Sequence, residues 1–213
     1  MVERMNQVNK PEDGDVEKAS TRTVDALQRV YAIVIALALT TAVKLLIEIL
    51  GITQGSGSAG RDVASATLLF IAFLFTLVVF YHGMNRHLDD TFVTGESKLQ
   101  RPILLLVDIF VFLVEGSLLV VMASTINNPG AFFYAWSVLL VVDILWGLYL
   151  YLVIRRVAPS KWILNNTIFL AVAWVLWLLI LPQNVAMIAI VEIMRNIVDY
   201  RINWAFYFPN RRQ

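Results

Sequence analysis

A chain of 213 residues that is 59% hydrophobic and 15% charged, with a mean hydropathy of +0.70, lies far from soluble domains. Those run at about 45–50% apolar and about 25% charged, so the composition reads as a polytopic membrane protein. Its net charge of +1 points to neither nucleic acid nor an acidic partner. The absence of cysteine removes disulfides, thiolate metal ligands and cysteine nucleophiles.

The opening MVERMNQVNKPEDGDVEKAS is polar and of mixed charge, without the basic-then-apolar order of a cleaved signal peptide. Residues 1–26 read as a cytoplasmic tail, disordered or helical only near its end, with the first membrane helix as the insertion signal. A spanning helix needs about 20 mostly apolar residues, and five stretches meet that length: 27–50, 63–84, 102–123, 131–154 and 162–182. GITQGSGSAGRD after the first is a flexible outer connection with no Walker-type lysine. Pro102 opens the third helix, Asn128 caps the fourth with Pro129 at its first position, and Ser160 precedes the fifth. A sixth stretch, 186–208, is apolar but holds Glu192, Arg195 and Asp199, and 209–213 forms a short C-terminal tail.

Loop charges set the orientation. Arg4, Lys10, Lys18 and Arg22 precede helix one, Arg86, Lys98 and Arg101 lie between helices two and three, and Arg155, Arg156 and Lys161 between four and five. The alternate loops carry only Arg61. This is the positive-inside pattern with a cytoplasmic N-terminus. A sixth span also places Arg211 and Arg212 inside, whereas a surface helix leaves them outside. The expectation is therefore an all-α protein of six transmembrane helices with both termini cytoplasmic; five spans plus an amphipathic surface helix is the competitor. The short chain fits a prokaryotic plasma membrane.

At about 1.5 Å of rise per residue, Glu115, Asp143 and Arg195 fall near the middles of helices three, four and six. Asp108 shares a face with Glu115, seven residues away, and Lys44 and Glu48 pair in the outer part of helix one. Glu192, Arg195 and Asp199 form one stripe, with Asn196 and Asn203 beside it, turned into the bundle or towards a water-filled cavity, where Arg195 is neutralised within its own helix or by Glu115 and Asp143. Charges at bilayer centre are costly and face protein or water. Two readings stand: an ion-pair network that fixes packing, or an ion or proton pathway served by the excess of acids.

YHGMNRHLDD sets His82, His87, Asp89 and Asp90 at the inner end of helix two, with His82 at a depth where Asp108 reaches it. The spacing matches no zinc pattern, so no metal and no cofactor is assigned. Asn165 and Asn166 are read as helix–helix hydrogen-bonding groups, and Trp174 and Trp177 as lipid-facing or packing groups. There is no HExxH, no GxSxG, no TVGYG-like filter and no helix with arginines at every third place, so neither an enzyme nor a voltage sensor is expected.

RTVDALQRVYAIVIALALT resembles the first helix of prokaryotic TMEM175-type potassium channels, which follows an Arg-x-x-x-Phe-Ser-Asp motif. Arg22 takes the place of the motif arginine, while Ala26, Leu27 and Gln28 stand at the Phe-Ser-Asp positions. FYHGMNRHL is similar to that family's histidine-containing second helix. The resemblance implies a homo-oligomer, a tetramer, whose first helices line a cation pore with an apolar constriction at Ile33, Leu37 and Thr40, or at Ile35 and Leu39. The expected function is an oligomeric membrane protein conducting or translocating small cations, with Asp108, Glu115, Asp143, Glu192, Arg195 and Asp199 as its network. A proton-coupled transporter and a non-transporting scaffold or effector with a cytosolic protein partner are the alternatives, and the lipid bilayer is a partner in all of them.

Overall fold

The computed structural model describes residues 13–51, 63–93, 102–154, 159–180 and 184–209, and all its regular elements are helical. They are α1 (Asp13–Ile49), α2 (Val63–Leu88), α3 (Pro102–Ser124), α4 (Pro129–Ile154), α5 (Pro159–Ile180), α6 (Val185–Ile202) and the single turn α7 (Trp204–Tyr207). A π-helical turn, Asp89–Val93, continues α2. The first five helices are long and apolar enough to cross a membrane.

Each boundary has a local cause. Pro102 and Pro129 open α3 and α4, where a missing N–H costs nothing, and the Asn128 side chain accepts from the Ala131 N–H at 3.1 Å. Asn184 caps α6 in the same way, accepting from Met187 at 3.3 Å. Pro159, rather than Ser160, marks the start of α5. α1 begins at Asp13, well before residue 27, so much of the expected tail is helix. Glu17, Lys18 and Ala19 are good helix formers by intrinsic propensity. Residues 1–12, most of the 51–62 connection, 94–101, Arg155, Arg156 and 210–213 lie outside the described residues. The segment expected as one helix over 186–208 is broken at Asn203, where α6 ends and the chain turns into α7.

The six long helices close a ring in the order α1, α2, α6, α5, α4, α3, with α2 also touching α3 and α4. Gln28 bonds Asp89 at 3.1 Å, and Arg86 bonds the Phe206 carbonyl at 3.1 Å, so these segments share one end, the Asp89 end. The opposite half is closed by apolar packing: Leu69, Phe73, Leu119, Met122, Trp136 and Leu139 are all buried, and Phe133 stacks on Trp177 with centroids 4.4 Å apart. The ring's outside is apolar, with Leu106, Phe110, Leu152, Leu178 and Leu179 exposed. α6 follows the same plan, because Ile190, Met194 and Ile197 face out while Glu192, Arg195, Asn196 and Asp199 are buried.

Small residues set the closest helix approaches, as in membrane bundles generally. A Cβ at Gly116 of α3 would stand 2.6 Å from Cγ1 of Val34 on α1. Valine is stiff at χ1 in a helix, so the clash is not relieved by a rotamer change. Gly116→Ala is expected to cost about 1–3 kcal/mol, read as a lowered unfolding temperature in detergent. Adding Val34→Ala is expected to restore most of it; no restoration would place the strain elsewhere.

Candidate functional site

The ring encloses a polar interior centred on Arg195, whose residue surface is 1% exposed. α6 turns it inward, and its guanidinium is held on both sides by asparagines. Nε and Nη2 donate to Asn166 Oδ1 at 2.9 and 2.5 Å, while Nη1 donates to Asn196 Oδ1 at 2.8 Å. Each asparagine then donates onward. Asn166 Nδ2 donates to Asp143 Oδ2. Asn196 Nδ2 donates to Thr76 Oγ1 at 2.9 Å, and Thr76 donates to Glu192 Oε1 at 2.7 Å. Arg195 therefore reaches a carboxylate in each direction through an amide relay. Its direct ion pair to Asp143 is looser at 3.7 Å, and its guanidinium carbon lies 5.2 Å from the Phe80 ring centroid.

A second carboxylate centre lies towards the Asp89 end. Asp108, fully buried, accepts from Trp146 Nε1 at 2.9 Å through Oδ1 and sits 2.9 Å from His87 Nε2 through Oδ2. One side chain of α3 thus joins α2 to α4. A third centre is Asp199, which accepts from Asn203 at 3.0 Å and from the Tyr207 hydroxyl. It holds the turn after α6 and the α7 residues against the bundle. Glu115 lies beside Asp143 within hydrogen-bonding reach, and its Oε1 has no partner among the protein atoms. The Glu192 Oε2 and Tyr31 hydroxyl oxygens are likewise buried without partners.

A cavity of about 430 Å³ reaches this interior from the Asp89 end. Glu115, Asp143 and Arg195 line its inner end, and Asp90, Lys161 and Phe206 lie nearer the mouth. Tyr207 and Gly83 flank it, the Tyr207 hydroxyl lying 3.6 Å from where a Gly83 Cβ would be.

The six residues expected as a network are all buried, and five of them, Asp143, Glu192, Arg195, Asp199 and Glu115, belong to the interior around the cavity's inner end or the α6 stripe. Asp108 forms its own centre. Its partner is His87, not His82, because α2 and its π-turn run on beyond residue 84 and carry the helix end one turn further. His82 instead lies 3.2 Å from the Tyr200 hydroxyl, with its ring against Tyr207 and Phe208. Asn165 and Asn166 do bond across helices, Asn165 weakly to the Arg195 carbonyl at 3.4 Å. Lys44 and Glu48 approach to 3.9 Å on the exposed surface. Ile33, Leu37 and Thr40 face outward on α1, away from the network, whereas Ile35 is buried. Among the described residues no group of three metal-ligating side chains converges.

Thr76 and Trp146 entered the site without a sequence signal. Thr76 is a lone hydroxyl in AFLFTLVVF, and only the contact between α2 and α6 gives it meaning. The chain matches no family model, no curated protein and no solved structure.

Proposed function

We propose that this chain is a six-span membrane protein that translocates small cations through the interior of its own helix ring. The observation that carries the reading is the cavity of about 430 Å³ ending on Glu115, Asp143 and Arg195. Buried Asp108, Glu115, Asp143, Glu192 and Asp199 outnumber the buried bases, Arg195 and His87. In a low-dielectric interior such an imbalance is made good by protons or entering cations. The sixth span is supported by the faces of α6, since a surface helix would turn its charges to water and its apolar side to the membrane. Arg22, Arg29, Arg86, Lys161 and Arg201 lie towards the Asp89 end, so that end is taken as cytoplasmic, with both termini on that side.

Proton-coupled transport is the second reading, favoured by the one-sided cavity and the packed apolar half beyond it. A channel with access from both faces at once needs that half to open, whereas a carrier exposes its site to one face at a time. A homo-oligomer with a shared pore along α1 is the competing route, supported by the outward stripe of Ile33, Leu37 and Thr40.

Purified protein in liposomes or planar bilayers is expected to pass a cation-selective current or a pH-gradient-driven flux. Glu115→Gln and Asp143→Asn are each expected to lower it about tenfold or more at normal yield, through loss of the charge that stabilises the ion at depth. Flux unaltered in both variants would remove these acids from the path. Because the chain has no cysteine, Leu37→Cys tests the rival cleanly. Block by a thiol reagent there would move the path to a shared axis.

A further inference from the structure

The inner end of the cavity carries a buried carboxylate oxygen with no partner, Glu115 Oε1. Arg195 has committed Nε, Nη1 and Nη2 to Asn166 and Asn196 and turns its face to Phe80. Its charge is already met by Asp143 at 3.7 Å. Asp143 is engaged by Asn166 and lies beside Arg195. Glu115 Oε1, by contrast, is buried with no partner, on a residue that lines the cavity. A buried acceptor left unmade is costly, so the group suited to this position is a donor that carries positive charge.

The walls point the same way. Phe112, Trp146, Trp162, Phe206 and Tyr207 all line the space, with Leu150 and Met84 among them. Aromatic faces attract cations, and apolar walls take up an organic body rather than a hydration shell. The volume of about 430 Å³ is far larger than a bare inorganic ion needs. It falls within the range of about 300–1,000 Å³ typical of pockets for organic ligands.

We infer that the cavity is a binding site for an organic monocation: its nitrogen-borne hydrogens directed towards Glu115, its flat apolar body against the wall of Phe112, Trp146, Trp162 and Phe206. This rests on the reading of the cavity as a cation path and names the class of cation. Glu115 recognises the charge, the aromatic residues recognise the body, and the Gly83–Tyr207 edge limits the width of entry. A planar amino-substituted aromatic cation or an aryl amidinium meets all three conditions; an alkali ion meets only the first.

The test uses ethidium, a planar cation with amino donors, and dihydroethidium, which keeps the skeleton and lacks the charge. Binding is measured by equilibrium dialysis of the full-length protein in detergent, without oxygen. Ethidium is expected to bind saturably, and dihydroethidium far more weakly. Glu115→Gln is expected to weaken ethidium about 10- to 100-fold, the span of a charge-assisted hydrogen bond. Glu115→Asp, which keeps the charge, is expected to retain most of the binding. Gly83→Leu narrows the entry without touching a charge and is expected to abolish it, so the inference stays testable should Glu115→Gln fold poorly.

Equal binding of the two probes would overturn the inference, as would ethidium binding that is indifferent to both Glu115→Gln and Gly83→Leu. Failure of the broader reading looks different. Charge-selective ethidium binding with no flux of any cation leaves the site and removes translocation. Flux that depends on Glu115 without ethidium binding leaves translocation and removes the organic ligand.

Discussion

Arg195→Met is expected to destabilise the protein by about 3–5 kcal/mol, the usual cost of removing one partner from a buried charge network. Methionine fills much of the same space, so the loss is not chiefly a cavity. It comes from what Arg195 leaves behind: Asn166 Oδ1 loses both of its donors, Asn196 Oδ1 loses its own, and Asp143 keeps only the Asn166 amide and its contact with Glu115. Thermal unfolding in detergent reads the effect. Arg195→Lys is expected to fall between, because a single ammonium does not span the fork from Asn166 to Asn196 that a guanidinium bridges. Adding Asp143→Asn to Arg195→Met removes the stranded charge and is expected to return about 0.5–3 kcal/mol, the range of coupling between contacting residues. If the double variant is no more stable than Arg195→Met alone, Asp143 is not the charge that Arg195 balances. A loss under about 1 kcal/mol in Arg195→Met would mean that water reaches these groups and satisfies them.

The central position of Arg195 was readable from the chain, but its partners were not. The stripe of Glu192, Arg195 and Asp199 follows from a period of 3.6 and the cost of facing lipid, and all three are buried. Helix starts at Pro102 and Pro129 and the cap at Asn128 are local chemistry, so they could be read locally. Which side chain meets which across a bundle depends on ring order and helix rotation, and neither is written in any one segment. Charge alone pairs Arg195 with the acids of its own helix or with Glu115 and Asp143. The structure inserts Asn166 on one side and Asn196 with Thr76 on the other, because α6 sits between α5 and α2, not next to α3 or α4. The His82–Asp108 pairing failed for a related reason: counting depth from an assumed helix end misplaces a group by a turn when the helix runs on. The fold-back after Asn203 had a weaker signal still. WAFYFP is aromatic and apolar, and only the pairing of Tyr207 with Asp199 shows that it docks on the bundle.

Asp108 allows the same logic to be tested at a site where shape and charge separate. Its two oxygens each serve one group, Trp146 Nε1 on α4 and His87 Nε2 on α2. Asp108→Leu removes both acceptors and leaves an indole N–H with nowhere to turn, since indole is a donor only. Two orphaned buried groups at about 1–3 kcal/mol each give an expected loss of about 2–6 kcal/mol. Asp108→Asn is expected to cost far less. Its carbonyl oxygen still accepts from Trp146, and its amide then donates to His87 Nε2, provided that the imidazole carries its proton on Nδ1. Thr91 Oγ1 stands 3.5 Å from that Nδ1 and provides a nearby acceptor for it. The asparagine variant therefore makes a spectroscopic demand as well as a thermal one: the His87 ring nitrogens, observed by ¹⁵N NMR, are expected to show the Nδ1–H tautomer. If Asp108→Asn is as unstable as Asp108→Leu, the interior needs the charge at this position and not merely the acceptor. His87 must then be the cation that meets it.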